Sequence, residues 1–510
     1  MTAPIRFAPA ACAAALILPA AAQAEVTAAQ VWQDWQAGAA LWGETEITTQ
    51  SEEMAGDTLT ITGLELVTTG PDGRLEVSLP ELRLTETAEG TVEVALSESY
   101  PVRLISTVPG EEGEARLQVR QQDLEVTVGG TPEAMRYDYA ASRYTIALEE
   151  VTEAGTAIPA EAAISFNAID GSYLTQTGAD GQRMTDYDIA ADSLDISVDA
   201  TDMPGEAGPG SLKLRGSVAD FALTAALALP EGMAEAPEGT IPEGFETRLD
   251  YATGPALIEF DVTDPEARVA GTARTGGGEV AFALDPARMS YDSRTRALDL
   301  ALSESPVPFP LSLQIDEYGV GLDMPLAAGA AAQDFSGRVT LDGLALNEEV
   351  WRLFDPMAVL PREPATLIAE LSGAAVLPQD LTAPETAEAV DNGAAMAEAA
   401  PELQALTLER LVLRLAGAEL LGDGAFTFDN SDFETFEGIP RPEGQIDLRI
   451  SGLNGLMQNL STLGVIPTDQ LMGARMMLGL FTTPVGEDEL TSTIEINAEG
   501  QVIANGQRLQ

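Results

Sequence analysis

The chain has 510 residues with 26 basic and 82 acidic side chains, a formal charge of −56, and 45% hydrophobic residues. That apolar content is too high for a chain disordered throughout, and the acidity repels nucleic acid phosphates and anionic lipid head groups. There is no histidine and the single cysteine is Cys12, so no Ser-His-Asp triad, Cys-His pair, histidine-ligated zinc or CxxC redox centre can be assembled.

Arg6 precedes an apolar run from Phe7 to Ala21, and Ala22-Gln23-Ala24 places small residues just before a cut. This reads as a cleavable signal peptide over residues 1–24, with the exported chain starting at Glu25. The run is shorter than the ~20 residues that span a bilayer, and Pro9 and Pro19 interrupt it, so no integral membrane span is expected after cleavage. The exported chain has no cysteine and must rely on core burial and β-ladder hydrogen bonds. The periplasm of a Gram-negative bacterium is the expected compartment.

Thr27 with Gln30 forms a capping-box pattern, and Ala28, Trp32, Trp35, Ala39 and Trp42 recur at helical spacing. An amphipathic N-terminal helix is expected, with its tryptophans docked against apolar surface elsewhere in the fold. From Asp57 the period falls to two: Leu59 and Ile61, then Leu75, Val77 and Leu79, then Leu82 and Leu84, then Val92, Val94 and Leu96. These are half-buried strands in hairpin succession. Gly63 and Pro80 fall where the alternation slips by one residue, which a bulge or bend in a curved sheet requires.

Short segments recur along the chain. Met135-Arg136-Tyr137-Asp138, Met184-Thr185-Asp186-Tyr187-Asp188 and Met289-Ser290-Tyr291-Asp292 each lead into a strand, which points to a repeated hairpin module. Gly-Leu follows alternating apolar residues at Gly63-Leu64, Gly343-Leu344 and Gly452-Leu453, and the last two run into helices. The first of those helices is expected from Asn347 to Phe354, ended by Pro356, and the second from Asn454 with a partner over Thr468 to Phe481. Pro230 to Gly244 and the acidic, Ala-rich 379–402 read as flexible insertions. Asn505-Gly506 reads as a tight turn between closing strands. Two β-rich parts are drawn, 25–244 with the N-terminal helix and 245–510 with the C-terminal helical hairpin.

No nucleophile elbow, phosphate-binding loop or complete EF-hand loop is present. Asp429, Asn430, Asp432 and Glu434 read as a solvated acidic loop rather than a calcium site, and no metal or cofactor is expected. The second C-terminal helix is apolar almost all round and must be covered by protein or lipid. Met457, Met472, Met476, Met477 and Phe481 are therefore the candidate ligand-binding residues.

The segments Val26-Thr27-Ala28-Ala29-Gln30-Val31-Trp32, Trp351-Arg352-Leu353-Phe354-Asp355-Pro356 and Leu360-Pro361-Arg362-Glu363-Pro364-Ala365-Thr366 resemble the domain-of-unknown-function 2125 family of exported alphaproteobacterial proteins. More distantly, Leu406 to Phe428 is similar to the C-terminal portion of AsmA-like envelope proteins. That resemblance implies a long curved sheet and lipid handling in the envelope, although AsmA-like proteins usually retain an N-terminal membrane anchor and this signal reads as cleavable. Within the 351–366 segment, Trp351 and Phe354 are expected in the core and Asp355 beside Arg362.

The expected fold is mainly β: an elongated, curved antiparallel sheet built from repeated hairpins, with a few helices packing on the concave side. The expected function is a non-enzymatic periplasmic envelope protein that holds lipid or another apolar ligand in a concave groove. The alternative is an interaction scaffold with a filled core that binds other envelope proteins.

Overall fold

The computed structural model describes residues 26–39, 44–70, 72–108, 110, 112–153, 155–178, 181–203, 208–233, 240–304, 309–382 and 401–509. The expected signal peptide, Cys12, Trp42 and most of the 379–402 insertion lie outside the described residues. Strands hold 67% of the residues and helices 10%, so the class is mainly β. The strands join into a single antiparallel sheet in which each usually pairs with its neighbours along the chain. The boundary drawn at 244/245 falls in a connection between two strands that pair with each other, Gly210–Leu229 and Glu246–Thr253.

A line of backbone breaks crosses this sheet. Asp123, Ala168, Asp220, Ala297 and Gly343 all have φ between 49° and 71°, the left-handed region. The breaks line up in register: Ala168 and Asp192 fall in one gap of the ladder, between the pairs Asn167↔Ser193 and Ile169↔Ala191. Asp220 continues the line on the next strand, and Gly254-Pro255 follows where Glu246–Thr253 and Ala256–Thr263 lie end to end. At the N-terminal end, the gap between Thr62↔Glu81 and Leu64↔Leu79 holds Gly63, with φ 56°, and Pro80. The slip read at those two positions is thus one stretch of a crease.

A left-handed residue kinks a strand and re-aims the side chains beyond it. Two observations show that apolar residues keep to one face across the crease. Leu64 and Leu79 pack in the same cluster as Ile61 and Leu82 from the other side of Gly63 and Pro80. Phe166 and Phe221, on opposite sides of the line, meet edge to face with ring centres 5.5 Å apart.

Helix α1 (Ala28–Ala39) begins with the expected capping box: the Thr27 N–H donates to Gln30 Oε1 at 2.9 Å and the Gln30 N–H to Thr27 Oγ1 at 3.3 Å. Its buried face, Ala28, Val31 and Trp32, packs with Ile61, Leu82, Leu84, Val92, Val128 and Tyr137 in the larger of two apolar clusters. Helix α2 (Glu348–Phe354) is capped by Asn347 and ends at Asp355. The smaller cluster brings its Trp351 together with Leu360 and Ala416 and with Leu456 and Leu460 of helix α3 (Leu453–Thr462). The α3 N-terminus is capped from a distance by Asp488, which accepts from the Asn454 and Gly455 N–H groups at 3.0 Å each. Helix α4 (Thr468–Phe481) follows. One packing expectation is corrected: Phe354 is exposed, because Trp351 takes the inward position on this short helix and Phe354 lies against its ring at 4.8 Å.

Candidate functional site

Register decides what the sheet can do, because directly paired residues share a face. Starting at Tyr137, one cross-strand row passes through Tyr173, Tyr187, Ala225, Leu249 and Phe282. It continues through Tyr291, Leu322, Gly337, Leu371, Leu408 and Gly424 to Ile446 and Ile494. The parallel row from Tyr139 runs through Ile189, Leu223, Tyr251 and Val280 to Val320, Val339, Ala369 and Leu411. Beyond the crease, Ile146, Ile164, Ile196, Ile258, Leu300, Leu313 and Leu346 belong to a third. None of the three holds a charged residue.

One residue along, the side chains face the other way and the chemistry changes. The row Thr127, Asp138, Ser172, Asp188, Thr224 and Asp250 continues through Ala281, Asp292, Gly321, Arg338 and Glu370. Its charged residues are mostly acidic, and its one cation, Arg338, lies 2.6 Å from Asp292 across the strands. The three recurrent Met-to-Asp segments now have a structural meaning: Tyr137, Tyr187 and Tyr291 stand in the apolar row, and Asp138, Asp188 and Asp292 in the polar one. A depression of about 430 Å³ on the polar side, around Gly321 and Gly337, is lined by Ser290, Asp292, Asp323, Arg338 and Glu370. The cation in its lining, Arg338, is engaged by Asp292, and its Asp323 is engaged by Arg288 beside it.

The apolar face is covered at one end and open further along. At the covered end α1 lies on it, fixed by a polar contact: the Tyr137 hydroxyl donates to Asp34 Oδ2 at 2.8 Å and Arg183 Nη1 donates to Asp34 Oδ1 at 2.8 Å. Burial first, then the Asp34 carboxylate, push the Tyr137 phenol well above its ordinary pKa, so it stays a donor. Tyr137 stacks on Tyr173 at 4.3 Å between ring centres. Further along, Tyr291, Tyr318, Val320, Leu322, Val339, Leu367 and Leu371 are each more than a third exposed, with Val320 at 45% and Val339 at 44%. They occupy four adjacent strands, Arg288–Glu304, Leu311–Pro325, Gln333–Leu346 and Ala365–Val376. A contiguous exposed apolar area of this kind is a candidate binding surface. A further apolar hollow of about 540 Å³ lies near the N-terminal end, with Leu75, Leu104, Ala115 and Val151 in its lining.

The residues predicted from the C-terminal helices are not gathered into one site. Met457 on α3 is buried, with 8% of its surface exposed, whereas Met472, Met476 and Met477 stand out on α4, Met472 at 78%. Phe481 is half-buried at the end of α4. The sequence points to an apolar sheet face but not to its residues, because no single strand displays the row; the recurrent Met-to-Asp segments are the signal that marks them. The acidic loop is used up locally: Asp429 accepts from the Ser431 hydroxyl at 2.6 Å and N–H at 3.0 Å and from Arg441 at 2.7 Å, in that order of effect holding its carboxyl at about 2. Among the described residues, no three or more carboxylates converge as metal ligands, and no helix is long and apolar enough to cross a membrane.

No protein-family model, curated protein or solved structure matches this chain.

Proposed function

We propose that this is a non-enzymatic envelope protein of the periplasm whose creased sheet holds lipid or another apolar ligand along its apolar face. The observation that carries this reading is the exposure of Tyr291, Val320, Leu322, Val339 and Leu371 on neighbouring strands, where a filled core would bury them. The non-enzymatic part rests on a sequence without histidine and with Cys12 as its sole thiol. The resemblance to the domain-of-unknown-function 2125 family fits export, and the distant one to AsmA-like proteins fits lipid handling.

Purification of the exported protein from its native periplasm without detergent, followed by organic extraction and mass spectrometry, tests the reading. Stoichiometric lipid is expected, and the double variant Val320→Asp/Val339→Asp should carry much less while keeping its circular dichroism spectrum. A lipid-free wild type that also takes up none from added vesicles would sink the proposal.

The second reading, a scaffold for other envelope proteins, is favoured by α4, whose Met472, Met476, Met477 and Leu480 have no cover. A photo-reactive residue placed at Met476 would then cross-link to a protein partner, and lipid extraction would be blank.

A further inference from the structure

The polar row that runs from Thr127 to Gly321 starts one pairing earlier, at Glu93. Along it Glu93, Asp138, Asp188, Asp250 and Asp292 stand on every second strand, and Thr127, Ser172, Thr224, Ala281 and Gly321 occupy the strands between. Adjacent strands lie about 4.8 Å apart, so the carboxylates recur at about 9.6 Å. Keeping like charges from standing directly opposite one another accounts for the gaps, but fewer acids would meet that need. The gaps are also open: hollows of about 430, 350 and 430 Å³ lie around Ser172, between Thr224 and Ala281, and around Gly321. Among the described residues Glu93, Asp188 and Asp250 have no ion-pair partner, whereas Asp138 is paired with Arg136 and Asp292 with Arg338. Arg248, two residues from Asp250 on the same face of its strand, is exposed and has no carboxylate partner.

A partner that fits this array is cationic, extended and periodic. A peptide in the polyproline II conformation has three residues per turn and rises ~3.1 Å per residue, so every third side chain returns to the same side at about 9.3 Å. A β-strand repeats on one side at about 6.7 Å and an α-helix at about 5.4 Å, and neither keeps step with the row. We infer that the polar face docks an extended, proline-rich segment of a partner protein that carries lysine or arginine at every third residue. It lies across the strands with its cations against the five carboxylates. Thr127, Ser172 and Thr224 offer hydroxyls to its carbonyls, and with no internal hydrogen bonds to break, the segment follows the twist of the sheet. This row faces away from the apolar ones, so the inference stands whether or not those hold lipid.

The test uses the exported protein and two fluorescent peptides of about thirteen residues, made of lysine and proline in the same proportion. In one, lysine occupies every third position; in the other the lysines are gathered at one end. Fluorescence anisotropy at about 0.1 M salt is expected to show the periodic peptide binding about tenfold tighter, the sum of small gains from several surface ion pairs. Asp188→Asn/Asp250→Asn should remove that advantage, and Arg248→Gln, which deletes a repelling cation beside the row, should tighten binding. All three positions are exposed, so the circular dichroism spectrum should not change. Equal affinity for the two peptides would overturn the match of spacing and with it the inference. Undiminished binding by the double variant would overturn the assignment of the row, and a protein that binds neither peptide would overturn the docking surface altogether.

Discussion

Asp355 has no exposed surface, yet its carboxylate is fully engaged. It accepts from the Val359 N–H at 3.0 Å, the Leu360 N–H at 2.9 Å and Arg362 at 2.5 Å, while the Arg362 guanidinium lies 4.5 Å from the centre of the Trp351 ring. Burial pushes its pKa up, but Arg362 and the two N–H groups outweigh burial and hold it below the ordinary carboxylate value. A folded-state pKa lower than the unfolded one gives stability that is present above the unfolded value and lost as pH falls through the folded one. Asp355→Asn should therefore melt earlier than the wild type at neutral pH, with the gap closing below about pH 4. Melts at a series of pH values read this directly, and a gap constant into acid would show that the charge is not the cause. At the other end of the molecule, Tyr137→Phe removes one donor from Asp34 and should cost about 2 kcal/mol in a denaturant melt.

At the scale of the element, the crease makes opposite demands on neighbouring residues. Ala168 and Ala297 hold φ of 49° and 51°, a region that costs a side chain about 1–2 kcal/mol and a glycine almost nothing. Ala168→Gly and Ala297→Gly should each stabilise the protein by up to about 1 kcal/mol, once the greater freedom of glycine in the unfolded chain is set against the relief. Gly343→Ala should do the reverse, by about 2 kcal/mol or more, because a Cβ there adds left-handed strain and runs into the Asp316 carboxylate. Shifts of the urea midpoint at constant slope would measure all three. Parts of this design were legible in the sequence. The Gly-Leu recurrence marked Gly63, Gly343 and Gly452, all three left-handed, and Asn505-Gly506 forms its turn with φ of 50° and 78°. The alanines of the crease gave no such signal, and its aspartates only a weak one, since aspartate visits the left-handed region more often than most residues but is abundant throughout this acidic chain.

For the whole molecule, the apolar row from Tyr137 to Ile494 crosses a succession of strands at about 4.8 Å each, a path on the order of 60 Å. One leaflet of acyl chains spans ~15 Å, half of a ~30 Å hydrocarbon core. A face several times longer than its ligand should hold more than one, so native mass spectrometry of the lipid-loaded protein should show a ladder of lipid adducts, and saturation at a single adduct would confine binding to one section. The charge of −56 has its own consequence. Carboxylates spread over one sheet repel one another, and salt screens them, so the melting temperature should rise between about 0.01 and 0.5 M sodium chloride as the screening length falls.

The sequence by itself determined the strands, the helices and the two-faced character of the sheet, because alternation, capping and turn chemistry are local and need only a few adjacent residues to be read. It also excluded imidazole chemistry outright, and with it the commonest catalytic centres. Only the tertiary structure decided which apolar residues share a row, since pairing joins Tyr137, Leu249, Leu322 and Ile446 across separations that no local pattern spans. It also decided that α1 covers one stretch of that face and leaves Val320 and Val339 open, because coverage depends on where a helix of limited length comes to rest on a much longer sheet.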